Sequence, residues 1–284
     1  RQMLYEGNKE AVRLLNKWYN DGLIWQDFPL YPAGDTTEDN LIKSGYVGAF
    51  QHNWDYPYRN GEDSIQYVLK DLVGEEAEFI AIEPFTNDEG VAVKLLSNPI
   101  DRKVFFPATN DEPLASLLYL NFIATLENRI YLAFGDEGMT YQLTEDGAYE
   151  GITESDVAYH INSWCNIDYT ILNNGFQLET TELTAKTMAL SYAAVDSSYI
   201  ETALDVALSN GKIFKYYNFG TIESETGMGP VLDEKRNVLY SVAITASVED
   251  FDAVYDAAMA DYLASGGQAI IDERAAKMAE ALGE

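Results

Sequence analysis

Residues 14–58 read LLNKWYNDGLIWQDFPLYPAGDTTEDNLIKSGYVGAFQHNWDYPY, and the order of elements within them sets the expected fold. Ala11, Leu14, Leu15, Trp18 and Tyr19 recur at three- and four-residue steps, which predicts a helix over 9–21 with one buried face. Gly22 is placed as its left-handed C-terminal stop. A loop rich in proline and aromatics follows, then a second short helix over 37–44. Gly45 releases the chain into Tyr46-Val47-Gly48-Ala49-Phe50, which reads as a buried strand. That strand opens into Gln51-His52-Asn53-Trp54-Asp55-Tyr56-Pro57-Tyr58, where aromatic and polar side chains alternate closely.

Working outward, further strands are expected at 78–83 and 103–106. Pro113 suits the first turn of a helix that Leu117, Leu118, Leu120 and Phe122 carry toward Leu126. Another helix is expected over 127–134, ending at Gly135, with others over 154–163, 183–194 and 199–208. Near the end, Phe251, Val254, Tyr255, Ala258 and Tyr262 form one helical stripe. Gly266-Gly267 breaks it, and a last helix runs from 268 to about 282. Helices alternate with widely separated strands and no internal repeat intervenes, so the expected class is α/β.

Charge and composition narrow the function classes. The 284 residues carry 47 acidic against 18 basic side chains, a formal net charge of −29. Such a surface repels phosphate backbones and anionic lipid, which argues against nucleic acid and peripheral membrane docking. Its plain reading is solubility. Cys165 is the single cysteine, so thiolate metal clusters and internal disulfides are excluded. Cys165 itself reads as a small buried hydrophobe. His52 and His160 are the two histidines, which limits zinc sites and histidine-based catalysis.

No nucleophile elbow, metalloprotease motif, phosphate-cradling loop or dinucleotide fingerprint occurs. Gly227-Met228-Gly229 reads as a turn beside Pro230. With 47 acids a chance carboxylate pair is expected, so spacing alone does not argue for glycoside hydrolysis. Asn87-Asp88-Glu89-Gly90 and Asn110-Asp111-Glu112 lack a calcium loop's fuller ligand pattern. No metal or cofactor is called for. The 51–58 loop is the informative group, because ligands of open α/β sheets bind beyond the carboxyl ends of strands. Trp and Tyr rings can stack on the C–H faces of sugars while amides and carboxylates bond their hydroxyls. The plainer alternative is that Trp54 and Tyr56 simply pack. Asn162-Ser163-Trp164-Cys165-Asn166 and Lys215-Tyr216-Tyr217-Asn218-Phe219 have similar chemistry and the same alternative.

The order of "LLNKWYNDGLI", "DNLIKSG", "YVGAF" and the Trp54 loop resembles the second lobe of family 1 extracellular solute-binding proteins, the maltose-binding-like group. Phe134-Gly135-Asp136-Glu137-Gly138-Met139-Thr140-Tyr141 is similar to that family's "YGxEGxxY" turn. Tyr262-Leu263-Ala264-Ser265-Gly266-Gly267 is similar to the "YxxAGG" break of its Gram-positive lipoprotein subgroup. The resemblance implies a type II periplasmic-binding-protein-like fold of two lobes with chain crossovers and an incomplete first lobe. Residues 1–83 would form second lobe, 84–102 a crossover, 103–180 the returning part of the first lobe, and 181–284 the rest of the second lobe.

The same resemblance implies a monomeric binding component of an ABC importer that delivers a carbohydrate to permease subunits. It would be extracellular or periplasmic, tied to the membrane only through a lipid anchor outside this chain. Trp54 takes the position of a sugar-stacking tryptophan, with Tyr56 as a second platform and His52, Asn53 and Asp55 as polar partners. Trp164 is an additional candidate. The rival expectations are a glycoside-active enzyme using a carboxylate pair and a surface carbohydrate-adhesion module.

Overall fold

The computed structural model describes residues 7–31, 35–83, 86–91, 94–96, 103–152, 170–172, 178–192, 194–213 and 220–283. Among these the chain is helix-rich, with ten α-helices and four strands of three residues each. The helix expected over 154–163 lies outside the described residues, as do His160, Trp164, Cys165 and the 215–219 group. Two compact units divide the chain: residues 1–35 with 216–284, and residues 36–215.

The first unit is built on α1 (Asn8–Asn20), α8 (Gly229–Thr245), α9 (Phe251–Tyr262) and α10 (Gln268–Leu282). Leu232, Leu239 and Ala243 put one fully buried stripe of α8 into a core with Val12 of α1, Phe251, Tyr255 and Tyr262 of α9, and Ile270 of α10. The sequence reading placed α9 and α10 and took the start of α8 only as a turn. The buried face of α1 centres on Val12 and Asn16; Leu15 and Tyr19 of the expected stripe pack against the same core, whereas Leu14 and Trp18 are exposed. The expected Gly22 stop is present. At φ +76° it lets Gly22 N–H reach Tyr19 C=O (3.0 Å) and Leu23 N–H reach Trp18 C=O (2.8 Å), a Schellman closure.

α8 ends without a glycine, because Ala246 is extended there. Its last carbonyls are instead capped by the buried Asn16 side chain of α1. The Asn16 amide donates to Ala243 O (3.0 Å), Ile244 O (3.0 Å) and Ala246 O (2.8 Å). Asn8 does similar work at the other end of α1: it donates to Tyr255 Oη (2.8 Å) and accepts from Tyr240 Oη (3.2 Å). On the surface Arg13 grips Asp252 through two nitrogens (2.8 and 3.0 Å) and lies over the Phe251 ring. Between α9 and α10 the chain makes a single π-turn, Leu263–Gly267, with Gly266 at φ +118°. A Cβ on Gly267 would lie 2.6 Å from the Tyr262 ring, so the glycine pair is required by packing as well as by backbone angle.

The second unit contains α2 (Thr36–Lys43), α3 (Ile65–Val73), α4 (Pro113–Ala124), α5 (Leu126–Phe134), α6 (Thr181–Ser191) and α7 (Ser197–Leu208). Pro113 does open α4 and Gly135 does end α5. β1 (Lys94–Leu96) pairs in parallel with β4 (Gly211–Ile213), and β2 (Tyr141–Leu143) pairs antiparallel with β3 (Tyr149–Gly151). Phe134, Tyr141 and Tyr149 cluster beside that hairpin, with Phe134 and Tyr149 stacked at 5.0 Å. Among the described residues no helix is long and apolar enough to cross a membrane.

The expected strands at 46–50, 78–83 and 103–106 are not strands here. Extended backbone becomes a strand only where a neighbouring strand accepts its hydrogen bonds. Tyr46 is 82% exposed rather than buried, and no ladder forms along 46–50. The 77–79 segment is held by side chains. Gln66, itself buried, donates to Ala77 O (3.2 Å) and accepts from Phe79 N–H (2.8 Å), and Tyr58 Oη donates to Phe79 O (3.0 Å).

Replacing Asn16 with leucine leaves Ala243 O and Ile244 O without their side-chain donor, while Ala246 O keeps Asn20, and should lower unfolding free energy by about 2–4 kcal/mol. Urea titration of the variant checks this, and a loss below about 1 kcal/mol would show that the cap is dispensable. Glu273 of α10 makes the stability of this unit depend on pH. Its carboxylate accepts from Ser224 Oγ (2.6 Å) and from the Ser224 and Glu223 N–H groups (2.8 and 2.9 Å), which hold its pKa down at about 2. Because the folded value lies below the unfolded one of about 4.3, this contribution is full above that pH and fades as pH falls toward 2. Glu273→Gln should therefore melt below wild type at pH 7, with the gap closing between about pH 5 and 2. A gap independent of pH would refute the ionic contribution.

Candidate functional site

The second unit brings three separate stretches together at Tyr199. α3 starts at Ser64, whose hydroxyl accepts from Tyr67 N–H (3.2 Å), and stops at Gly74; its helical spacing sets Gln66, Tyr67 and Lys70 along one side. α7 starts at Asp196, whose carboxylate accepts from Ser198 N–H (2.9 Å), and this sets Tyr199 in the first turn. The 77–81 segment, fixed by Gln66 and Tyr58, completes the wall.

Two adjoining hollows result, of about 260 and 400 Å³, which share Lys70, Asp196 and Tyr199. The larger falls within the size range of small-ligand sites. Its aromatic surface is Tyr199, stacked on the buried Tyr58 at 5.7 Å with ring planes 26° apart. The Tyr199 hydroxyl donates to Glu78, and the Lys70 ammonium sits 5.3 Å from the Tyr199 ring centre. Burial pushes the Tyr58 phenol up to about 12. The bond to Glu78 raises Tyr199, and the Tyr199 hydroxyl in turn raises Lys70, so all three keep their neutral-pH protonation states. Ser198 and Thr202 add hydroxyls at the rim.

The residues singled out from sequence lie beside this groove, in a packed arrangement of their own. Trp54 is half-buried against Tyr58, Ala189, Ile200 and Ala203, the cluster that also supports Tyr199. Tyr56 has one ring face covered by His52 (3.5 Å between centroids) and the Arg59 guanidinium over the ring at 4.7 Å. Its hydroxyl donates to Asp39, and burial with that bond pushes its pKa up to about 12. Asp55 accepts from Tyr192 Oη (3.1 Å) and faces Arg59 at 3.9 Å. Asn53 is exposed, and its N–H donates to His52 Nδ1 (2.8 Å). In this conformation the Trp54 and Tyr56 rings are thus engaged with their own chain. Trp164 lies outside the described residues.

Lys70, Glu78, Asp196 and Tyr199 were missed by the sequence reading. They are up to 129 positions apart, from Lys70 to Tyr199, and no local motif links them. The one available signal was the Ser64 and Gly74 bracket around Ile65 and Leu69, which marks α3. Among the described residues no group of three or more His, Cys, Asp or Glu side chains is arranged to hold a metal ion. No protein-family model, curated protein or solved structure matches the chain.

Gln66→Leu should loosen the wall of the groove, because Phe79 N–H and Ala77 C=O lose their partner. The Phe79 amide should then exchange with solvent at least about tenfold faster, corresponding to a loss of about 1.4 kcal/mol or more in local stability. Unchanged protection at Phe79 would rule out Gln66 as the strut.

Proposed function

We propose that this chain is the substrate-binding component of an ABC importer and captures an oligosaccharide. The observation that carries the reading is the Tyr199 groove: an aromatic face edged by a carboxylate, an ammonium and hydroxyls, the mixture that sugar hydroxyls and C–H faces require. The ordered resemblance of 14–58, 134–141 and 262–267 to family 1 solute-binding proteins supports it from the sequence side.

In this reading the sugar lies against Tyr199, within reach of Glu78, Ser198 and Asp196. Trp54 acts behind the groove by packing on Tyr58, and the exposed His52 and Asn53 are rim contacts for a longer ligand. The finer architecture is part of the same proposal: two lobes of a type II binding protein close on the ligand by hinge motion. The closed form delivers it to the permease subunits outside the cell or in the periplasm, as a monomer held near the membrane by a lipid anchor. No bond of the sugar is broken.

The test is a panel of neutral, amino and acidic oligosaccharides added to the whole chain. A bound sugar should raise the melting temperature with no shorter product formed. Tyr199→Ala should weaken that binding by about 10–100-fold, the scale of one stacked aromatic contact. Absence of any shift across the panel would sink the reading, and release of shorter sugars would replace it with a glycoside-active enzyme.

A further inference from the structure

The charge around the Tyr199 groove is lopsided. Asp71, Glu75, Glu78 and Asp196 supply four carboxylates to the two hollows, against the single ammonium of Lys70. That ammonium lies 5.3 Å from the Tyr199 ring centre, close enough for a cation to gain from the ring. Lys70 reaches this place on a four-carbon stem from the side of α3, and its ammonium interacts with the Tyr199 hydroxyl. The groove thus contains a cation seat filled by the protein's own flexible cation, in a field that favours positive charge.

Resting on the carbohydrate reading above, we infer that this groove selects oligosaccharides bearing amino groups over neutral ones and rejects those bearing carboxylates. A ligand ammonium takes the seat over Tyr199 as the Lys70 stem swings outward, and Glu78 and Asp196 become its counter-charges. A neutral sugar bonds these carboxylates through its hydroxyls alone, without the charge attraction an ammonium adds. An acidic sugar is repelled by all of them and meets only one cation. The selectivity is local to the groove and separate from the general attraction of a −29 chain for amines.

Titration calorimetry on the whole chain with three probes tests the inference: a glucosamine trimer, its N-acetylated neutral counterpart and a galacturonic acid trimer. At low ionic strength the glucosamine trimer should bind about tenfold more tightly than the neutral trimer, with the acid trimer weakest. Glu78→Gln with Asp196→Asn keeps an acceptor for Tyr199 and a cap for α7, and removes only two of the chain's charges. It should nonetheless shrink the amino-over-neutral ratio to about threefold or less. Lys70→Met vacates the seat while keeping the stem, and should strengthen the glucosamine trimer several-fold. Equal affinity for the amino and neutral trimers, or a ratio untouched by the double variant, overturns the selectivity while leaving carbohydrate binding in place. Failure of all three probes to bind overturns the carbohydrate reading and this inference together.

Discussion

Buried backbone groups must find hydrogen-bond partners, and this chain meets that demand with side-chain amides where many folds would use strands or glycine caps. In the first unit the Asn16 amide closes the C-terminal end of α8 against three carbonyls. In the second, the Gln66 amide takes one donor and one acceptor from the 77–79 backbone, just as a neighbouring strand residue would. Both side chains are about 1% exposed. An amide is suited to this because it carries a donor and an acceptor without charge, so its burial needs no counter-ion.

The consequence for the first unit is that α1 is more than a packing partner for α8. Asn16 fixes the axial position of α1 along α8, and Asn8, eight residues earlier on α1, binds Tyr255 and Tyr240 and so fixes the opposite end. Between them Val12 enters the core with Leu232 and Leu239. The charged contacts of α1, from Lys9 and Arg13 to Asp252 and Asp256, are exposed and contribute little each. Their effect is one of local neutralisation: in a chain with so few basic residues, they place two of them where α1 and α9 bring acids together.

Legibility from the sequence followed locality. The Gly22 stop, the Pro113 start, the Gly135 end and the α9–Gly266–α10 break are decided within a few residues, and all four are where the sequence places them. The strands were misplaced because an apolar run such as Tyr46–Val47–Gly48–Ala49–Phe50 specifies extended backbone and says nothing of a partner. The true pairings join Lys94–Leu96 to Gly211–Ile213 across more than a hundred residues, and the second uses the short Thr144–Ala148 turn, whose Asp146-Gly147 signal went unread. α8 was overlooked because Gly227 and Gly229 drew attention to its entry, although Leu232, Leu239 and Ala243 carry a helical repeat. The groove was illegible for the same reason as the ladders: its residues meet only through α3, α7 and the Gln66 strut.

An aromatic-rich loop advertises ligand binding only if a ring face is left open to receive the ligand, and here the faces are distributed unequally. Tyr56 has both the His52 ring and the Arg59 guanidinium against its ring, and Trp54 packs on the cluster of Tyr58, Ala189, Ile200 and Ala203. Opening either face would undo contacts within the loop itself. Tyr199 differs in kind. Its ring is stacked on the buried Tyr58, which sets its orientation, and the Lys70 ammonium lies 5.3 Å from the ring centre on a long flexible stem. Rigidity therefore comes from the Trp54–Tyr58 side and access from the Lys70 side. In the reading proposed here, the loop that draws attention in the sequence is the foundation of the site, and the binding face belongs to a tyrosine that the sequence does not mark.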